Sequence, residues 1–156
     1  MYLLRVILDK LNQNYAMTFS PLQKDQVKRF SIVMKKAGFN VIPHGYSEFL
    51  CWTDGLTWNG LELFSVYPHE RSDTVYPQPT LLEAQQKFPL EDAFPNRLVL
   101  GRCWEDLICY NNKTKLYEIL NRFTYEPVLT FSRFIDVLYH YAQFDGIVTL
   151  PTDTAS

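Results

Sequence analysis

The side chains of this sequence that could do chemistry are histidines, cysteines and a few carboxylates, and their spacing limits what that chemistry can be. The three histidines, His44, His69 and His140, lie far apart along the chain. A metal site needs ligands on a common frame, and no His-x-His or His-xxx-His pair is present. We therefore predict no metal site and no cofactor.

The cysteines are odd in number, at Cys51, Cys103 and Cys109, and none belongs to a Cys-x-x-Cys pair. This pattern indicates neither a disulfide framework nor a zinc ribbon. Cys109 lies in an apolar, strand-like run, which predicts a buried and unreactive thiol rather than a nucleophile.

Adjacent carboxylates at Glu105 and Asp106 occupy an expected tight turn between two strands. Acid/base catalysis by paired carboxylates requires one shielded member, and the sequence marks no acid as shielded. These two residues, or Glu62, would be the catalytic carboxylates if the chain were a small hydrolase. For Glu105 and Asp106, a role in forming the turn is the simpler interpretation. Because GxSxG, P-loop, GxGxxG and HExxH motifs are also missing, the sequence predicts a protein that is not an enzyme.

Hydrophobic periodicity predicts the elements that would carry these residues. Apolar positions recur at helical spacing over residues 2–13, and capping and Gly/Pro signals place further helices after them. Those helices are predicted from Ser20 and Pro21 to Gly38, from Pro43 to Thr53, from Leu81 to Phe88 with Thr80 and Glu83 as a capping box, and finally after Thr130 or Ser132. Strands are predicted at 61–64, 98–101, 107–110 and 116–120, with turns at Asn59-Gly60 and Asn111 to Thr114.

The order of these elements predicts the fold class. Helices come first, strands occupy the middle, and one helix closes the chain, which favours an α+β fold over a doubly wound one. We expect a mostly antiparallel sheet of about 4–6 strands with helices packed on one side. Residues 1–145 are predicted to form a single domain and residues 146–156 a flexible tail.

Charge is unevenly distributed along a chain whose net charge is only −2. Residues 1–40 carry seven bases and two acids, whereas residues 41–110 carry four bases and ten acids. Two ordinary solvated surfaces would explain this asymmetry, but so would an acidic surface that meets a basic partner. The near-neutral balance and the evenly spaced bases of the second helix argue against direct binding of nucleic acid.

The chain has no predicted membrane segment. Its first ten residues are apolar but interrupted by Arg5 and Asp9, which is typical of an amphipathic helix rather than a signal peptide. No run approaches the roughly 18 apolar residues that a membrane helix needs. We therefore expect a cytoplasmic protein that does not bind membranes.

An ordered set of short motifs resembles the SUKH superfamily. The set comprises Ile42-Pro43-His44-Gly45-Tyr46-Ser47-Glu48-Phe49-Leu50, Thr53-Asp54-Gly55-Leu56, Leu61-Glu62-Leu63-Phe64, Leu98-Val99-Leu100-Gly101, Asp106 leading into Ile108-Cys109-Tyr110, and Thr130 to Leu138. It covers residues 20–142, with Asp54 where the family more often has Asn and with a Pro-rich stretch at 66–79 outside the pattern. Asp also tolerates the turn before a glycine.

The resemblance implies a binding function without catalysis or cofactor. Bacterial SUKH proteins include immunity proteins that neutralise a cognate toxin, frequently a nuclease, whereas fungal relatives regulate cell-wall synthesis and signalling. We therefore expect a bacterial immunity protein, a monomer or weak homodimer, that binds a toxin with a basic surface; a regulatory scaffold with a non-toxin partner is the alternative. Complementary charge and aromatic anchors would favour such binding. The candidate partner-binding residues are Trp52, Asp54, Trp58, Glu62, Tyr76, Trp104, Glu105 and Asp106.

Overall fold

A computed structural model describes residues 2–69, 78–88 and 96–144 of the chain. The helices in this part are α1 (Tyr2–Gln13), α2 (Lys24–Lys36), α3 (His44–Leu50), α4 (Leu81–Lys87) and α5 (Phe134–Phe144). The strands are β1 (Met17–Thr18), β2 (Leu56–Trp58), β3 (Leu61–Leu63), β4 (Arg97–Cys103), β5 (Asp106–Asn111), β6 (Leu116–Asn121) and β7 (Pro127–Phe131).

The strands form one sheet in the order β1-β2-β3-β4-β5-β6-β7, and every neighbouring pair is antiparallel. This confirms the α+β class with an antiparallel sheet. The predicted count of about 4–6 strands is too low, because the described residues hold seven. The strands missing from the prediction are β1, β2 and β7; the first two are only two and three residues long, too short for a visible alternation.

An aromatic cluster joins α3 and α5 to the sheet. The rings of Tyr46 and Phe134 meet edge to face at 5.0 Å between centroids, and Phe134 also contacts Tyr117 of β6. Tyr46 donates a hydrogen bond from its hydroxyl to the carbonyl of Phe64 at 2.5 Å, which ties α3 to the chain just after β3. Helix α1 packs against α5 on the outside of this layer. Tyr46, Phe49 and Phe134 are all buried in the core.

Helix α4 lies beside β4 at the point where β3 has ended. The pairing of β3 with β4 stops at Gly101, which leaves the backbone of Val99 without a strand on that side. The Gln85 amide takes the place of that strand, since it accepts from the Val99 N–H at 2.8 Å and donates to the Val99 carbonyl at 2.6 Å. The predicted capping box of Thr80 and Glu83 is confirmed at the start of α4.

The predicted start of α2 at Ser20 and Pro21 is wrong, because the helix begins at Lys24. The N–H of Leu22 donates to the carbonyl of Leu50 at 3.0 Å. This bond holds the preceding residues in an extended path against the end of α3, so the helix can begin only after it.

The end of the chain also differs from the prediction. Thr130 does not cap a helix. It lies in β7, where it pairs with Glu118 of β6, and α5 begins at Phe134. The predicted tail at 146–156 lies outside the described residues. Among the helices of the described part, none is long and apolar enough to cross a membrane.

Candidate partner-binding surface

Three turns meet at one end of the sheet. In an antiparallel meander alternate turns lie at the same end, so the β2–β3, β4–β5 and β6–β7 turns are neighbours. Arg122 joins two of them, since its backbone N–H donates to the Glu105 carbonyl at 2.8 Å and its guanidinium donates to the Trp104 carbonyl at 3.2 Å. We call the surface formed by Asn59, Gly60, Trp104, Glu105, Arg122 and Phe123 the turn surface.

Trp104 is the most unusual residue of the turn surface. It takes the first position of the two-residue β4–β5 turn with φ 52°, where a bulky side chain is strained and glycine is the favoured residue. Its side chain is nonetheless 71% exposed. The indole lies against the backbone of Gly60, where an added Cβ would come within 2.6 Å of Cζ2 and Nε1. An exposed tryptophan thus occupies a strained backbone position and packs against Gly60.

A groove of about 400 Å³ lies between Trp104 and helix α5. Leu61 and Cys103 contribute apolar surface to it, and Trp58 lines it from β2. Asp106 and Tyr141 also line the groove and are hydrogen bonded to each other, at 2.9 Å from the phenol to Oδ2. Burial, and then the neighbouring carboxylate, raise the pKa of Tyr141 far above its usual value, so the phenol stays protonated and donates.

A second depression lies on the opposite side of Trp104. Its walls include Gly60, Glu62, Arg102 and Arg122. Glu62 and Arg102 face each other across β3 and β4 and form an ion pair with little exposure to solvent. The carboxylate of Glu62 is therefore paired with Arg102 within the sheet.

Phe123 extends the apolar part of the turn surface. Its ring is 72% exposed and lies under the guanidinium of Arg122, at 5.7 Å from the ring centroid. Trp104 and Phe123 are therefore two large exposed aromatic side chains on adjacent turns, linked by one arginine. Neither Phe123 nor Arg122 is among the partner-binding residues predicted from the sequence.

A repeated local pattern could have located the turn that carries Phe123. Asn121-Arg122-Phe123-Thr124 has the same Asn-x-x-Thr form as the predicted turn at 111–114. In both turns the asparagine Oδ1 accepts the next-but-one backbone N–H at 2.9 Å, and the residue after the threonine has φ 62°. The same local hydrogen bonds therefore build both hairpins.

The structure brings five of the eight predicted partner-binding residues to this end of the sheet. They are Trp58, Glu62, Trp104, Glu105 and Asp106. Trp58 is largely buried, at 7% exposure, and its indole N–H donates to the Asn14 carbonyl at 3.1 Å. Trp58 is therefore mainly a packing residue that reaches the wall of the groove.

The other three predicted residues lie elsewhere. Trp52 is 41% exposed, follows α3 and lines neither depression. Tyr76 lies outside the described residues. Asp54 is 0% exposed, which contradicts its assignment to a partner-binding surface.

Asp54 is instead a buried anchor for the chain that leaves β3. Its carboxylate accepts the backbone N–H of Val66 at 2.7 Å and that of Tyr67 at 3.2 Å. It also contacts Nε2 of His69 at 2.8 Å, and the His69 ring stacks on Phe19. Burial of a carboxylate is costly unless hydrogen bonds replace its contacts with water, and these partners supply hydrogen bonds to Asp54.

The acidic middle of the chain does not form a continuous free acidic surface in the described part. Of its six described acids, five hold hydrogen-bond or ion-pair partners inside the chain, namely Glu48, Asp54, Glu62, Glu83 and Asp106. Within the described residues the side chain of Glu105 has no such partner, and it lies on the turn surface next to Trp104. Most of the described acids of this segment are thus engaged in contacts within the chain.

The cysteine that the sequence predicts to be buried and unreactive, Cys109, lies inside the sheet. Cys109 is fully buried between Val99 and Glu118 in the sheet register, and burial raises the pKa of its thiol strongly. This confirms the predicted buried thiol. In the part of the chain that the structure describes, no three His, Cys, Asp or Glu side chains are grouped to hold a metal ion.

No protein family matches this chain, and no curated protein is significantly similar to it.

Proposed function

We propose that this chain is a non-catalytic binding protein that docks on a protein partner through the turn surface. The observation that carries the proposal is the exposed indole of Trp104 at a backbone position that favours glycine. Backbone strain of this kind costs on the order of 1–3 kcal/mol and is concentrated at functional sites. A role in folding does not account for the tryptophan, because most of its surface is not packed.

The composition of the turn surface fits a protein interface. Tryptophan and arginine are the residues most enriched among those that dominate binding energy, and such anchors are usually surrounded by polar groups. Trp104 and Phe123 provide two apolar anchors, while Glu105 and Arg122 surround them with polar groups. Because the ring already packs against Gly60, and Arg122 binds the backbone carbonyl of Trp104, the ring loses less freedom on binding than an unpacked side chain would.

We further propose that the partner is a toxin and the chain an immunity protein of the SUKH type. The motifs that resemble SUKH proteins include residues of α3, β3, β4, β5 and α5, which contribute to the sheet and its core. The antiparallel α+β architecture supports this resemblance. Cys51 and Cys109 carry free thiols, which supports a reducing compartment such as the cytoplasm, where a producing cell needs protection from its own toxin.

Co-expression tests this proposal. The chain would be produced together with the toxin candidate encoded beside its gene, and growth would be scored with wild type, Trp104→Gly and Trp52→Ala. We expect rescue by the wild type and by Trp52→Ala, and loss of rescue with Trp104→Gly. Glycine suits the turn position, so a folded but inactive variant separates binding from stability. Thermal unfolding of the purified variants confirms that both are folded.

Two results would contradict the proposal. If the wild-type chain binds the candidate toxin in calorimetry without rescuing growth, a regulatory scaffold with a non-toxin role is the better explanation. If Trp104→Gly binds and rescues as well as the wild type, the turn surface is not the docking site.

A further inference from the structure

We propose that the groove between Trp104 and helix α5 receives one arginine side chain of the partner. This inference rests on the proposed function, because it names the chemistry that the turn surface recognises. It concerns a single pocket, with Trp104 on one side and Asp106 and Tyr141 on the other.

The walls of the groove suit a long side chain that has an apolar stem. Leu61 and Cys103 offer aliphatic and sulfur surface, while Trp104, Trp58 and Tyr141 supply aromatic rings. The volume of about 400 Å³ lies in the range of roughly 300–1,000 Å³ found for small-ligand sites. Trp104 already rests on Gly60, so the remainder of its exposed ring is available to a second group.

The charge of the groove favours a cation. Glu105 and Asp106 contribute two carboxylates, the imidazole of His140 is the one basic ring on its walls, and no lysine or arginine is among the described residues that line it. Arg122 is directed elsewhere, toward the Trp104 carbonyl and the Phe123 ring. Tyr141 occupies Oδ2 of Asp106, so Oδ1 of the same carboxylate remains to accept a hydrogen bond from a ligand.

Arginine matches this combination better than lysine. A guanidinium is planar, stacks on an aromatic face and donates to carboxylates in a fixed geometry, whereas an ammonium is a compact and strongly hydrated charge. Stacking on the indole of Trp104 and pairing with Asp106 and Glu105 can therefore occur together. A toxin that acts on nucleic acid carries such side chains where it meets phosphate, so occupation of the groove would engage the surface that the toxin needs.

A small probe tests the groove without any partner. Nα-acetyl-arginine methylamide would be titrated into the full chain while the NMR signal of the Trp104 indole N–H, assigned with Trp104→Gly, is followed. The matched control ligand is the citrulline analogue, which has the same shape and no charge. We expect saturable binding of the arginine probe in the millimolar range and at least about tenfold weaker binding of the citrulline probe, as the loss of a charge-assisted hydrogen bond predicts.

Matched variants identify the residues. Asp106→Asn keeps an acceptor for Tyr141 but removes the charge, and it should weaken the arginine probe by about tenfold. Asp25→Asn, which removes an exposed charge on α2, should leave binding unchanged. No saturable shift, equal binding of citrulline, or full binding by Asp106→Asn would each overturn the assignment of the groove.

The two proposals can fail separately. If the chain rescues growth but the arginine probe does not bind, the groove assignment is wrong and the docking surface stands. If the probe binds at Trp104 but the toxin candidate does not bind the chain, the groove is a cation site and the proposed function is wrong.

Discussion

The indole of Trp104 rests on the backbone of Gly60, so that two turns of the sheet interlock at one contact. Both residues have positive φ, 52° for Trp104 and 86° for Gly60. The glycine leaves the space that the ring fills, and the ring covers the backbone that the glycine exposes. The orientation of the exposed tryptophan therefore depends on a residue 44 positions earlier in the sequence.

Gly60→Ala should disturb this contact and destabilise the chain. An alanine at positive φ costs about 1–2 kcal/mol, and its Cβ would also displace the indole. Gly38→Ala is the matched control, because Gly38 has φ 90° but no atom lies within 4 Å of an added Cβ. Urea unfolding should show a larger loss for Gly60→Ala than for Gly38→Ala. In a Trp104→Gly background that difference should disappear, and an unchanged difference would show that the ring is not involved.

Asp54→Ala should act on folding and not on binding. The variant leaves the N–H groups of Val66 and Tyr67 and the ring of His69 without their acceptor, which should cost about 3 kcal/mol of unfolding free energy. Glu105→Ala, at an exposed position, should stay within about 0.5 kcal/mol of the wild type. Urea unfolding provides both values. A folded Asp54→Ala of normal stability that no longer binds the partner would restore Asp54 to the interface.

Gln85→Ala should loosen the edge of β4. The Gln85 amide is the hydrogen-bond partner of both backbone groups of Val99, so its removal should cost about 2–3 kcal/mol. Gln86→Ala, one residue further along α4 and exposed, is the control and should have little effect. Hydrogen exchange gives a local readout: the Val99 amide should exchange faster in Gln85→Ala only. Equal protection of Val99 in both variants would refute the bridging role.

Alkaline pH should destabilise the folded chain through its buried tyrosines. Burial is the main cause that raises the pKa of Tyr46, Tyr117 and Tyr141, and the carboxylate of Asp106 adds to it at Tyr141. The unfolded chain releases these protons near pH 10 while the folded chain keeps them, so the unfolding free energy falls as pH rises above about 10.

Each such tyrosine should contribute a slope of about 1.4 kcal/mol per pH unit in that range. Tyr141→Phe should remove one such contribution from urea unfolding measured between pH 8 and 11. Tyr15→Phe, at a residue that is almost fully exposed, should leave the slope unchanged. The same slope in Tyr141→Phe as in the wild type would contradict the assignment.

Elements with strong local signals were predictable from sequence. The helix over residues 2–13 follows from its apolar periodicity, and α4 follows from the capping box of Thr80 and Glu83. The β5–β6 hairpin follows from two apolar runs around a turn opened by Asn111. In each case the residues that form the structure are neighbours in sequence, so their pattern is visible without the fold.

Errors occurred where a distant partner decides the structure. The Ser20-Pro21 signal is a good helix start, but the bond from Leu22 to Leu50 holds that segment extended. Asp54 looked like a surface acid at a turn, but it is buried because the backbone of Val66 and Tyr67 folds over it.

The sequence by itself determined an α+β fold with an antiparallel sheet, because periodicity and capping are local properties of the chain. It also selected Trp104, Glu105 and Asp106 as candidates for binding. Only the tertiary structure decided that Trp104 is exposed and held by Gly60, that Phe123 lies on the adjacent turn, and that Asp106 faces a groove beside Tyr141. Those relations arise from alternate turns meeting at one end of a meander, and no local pattern specifies which side chains the folded sheet brings together there.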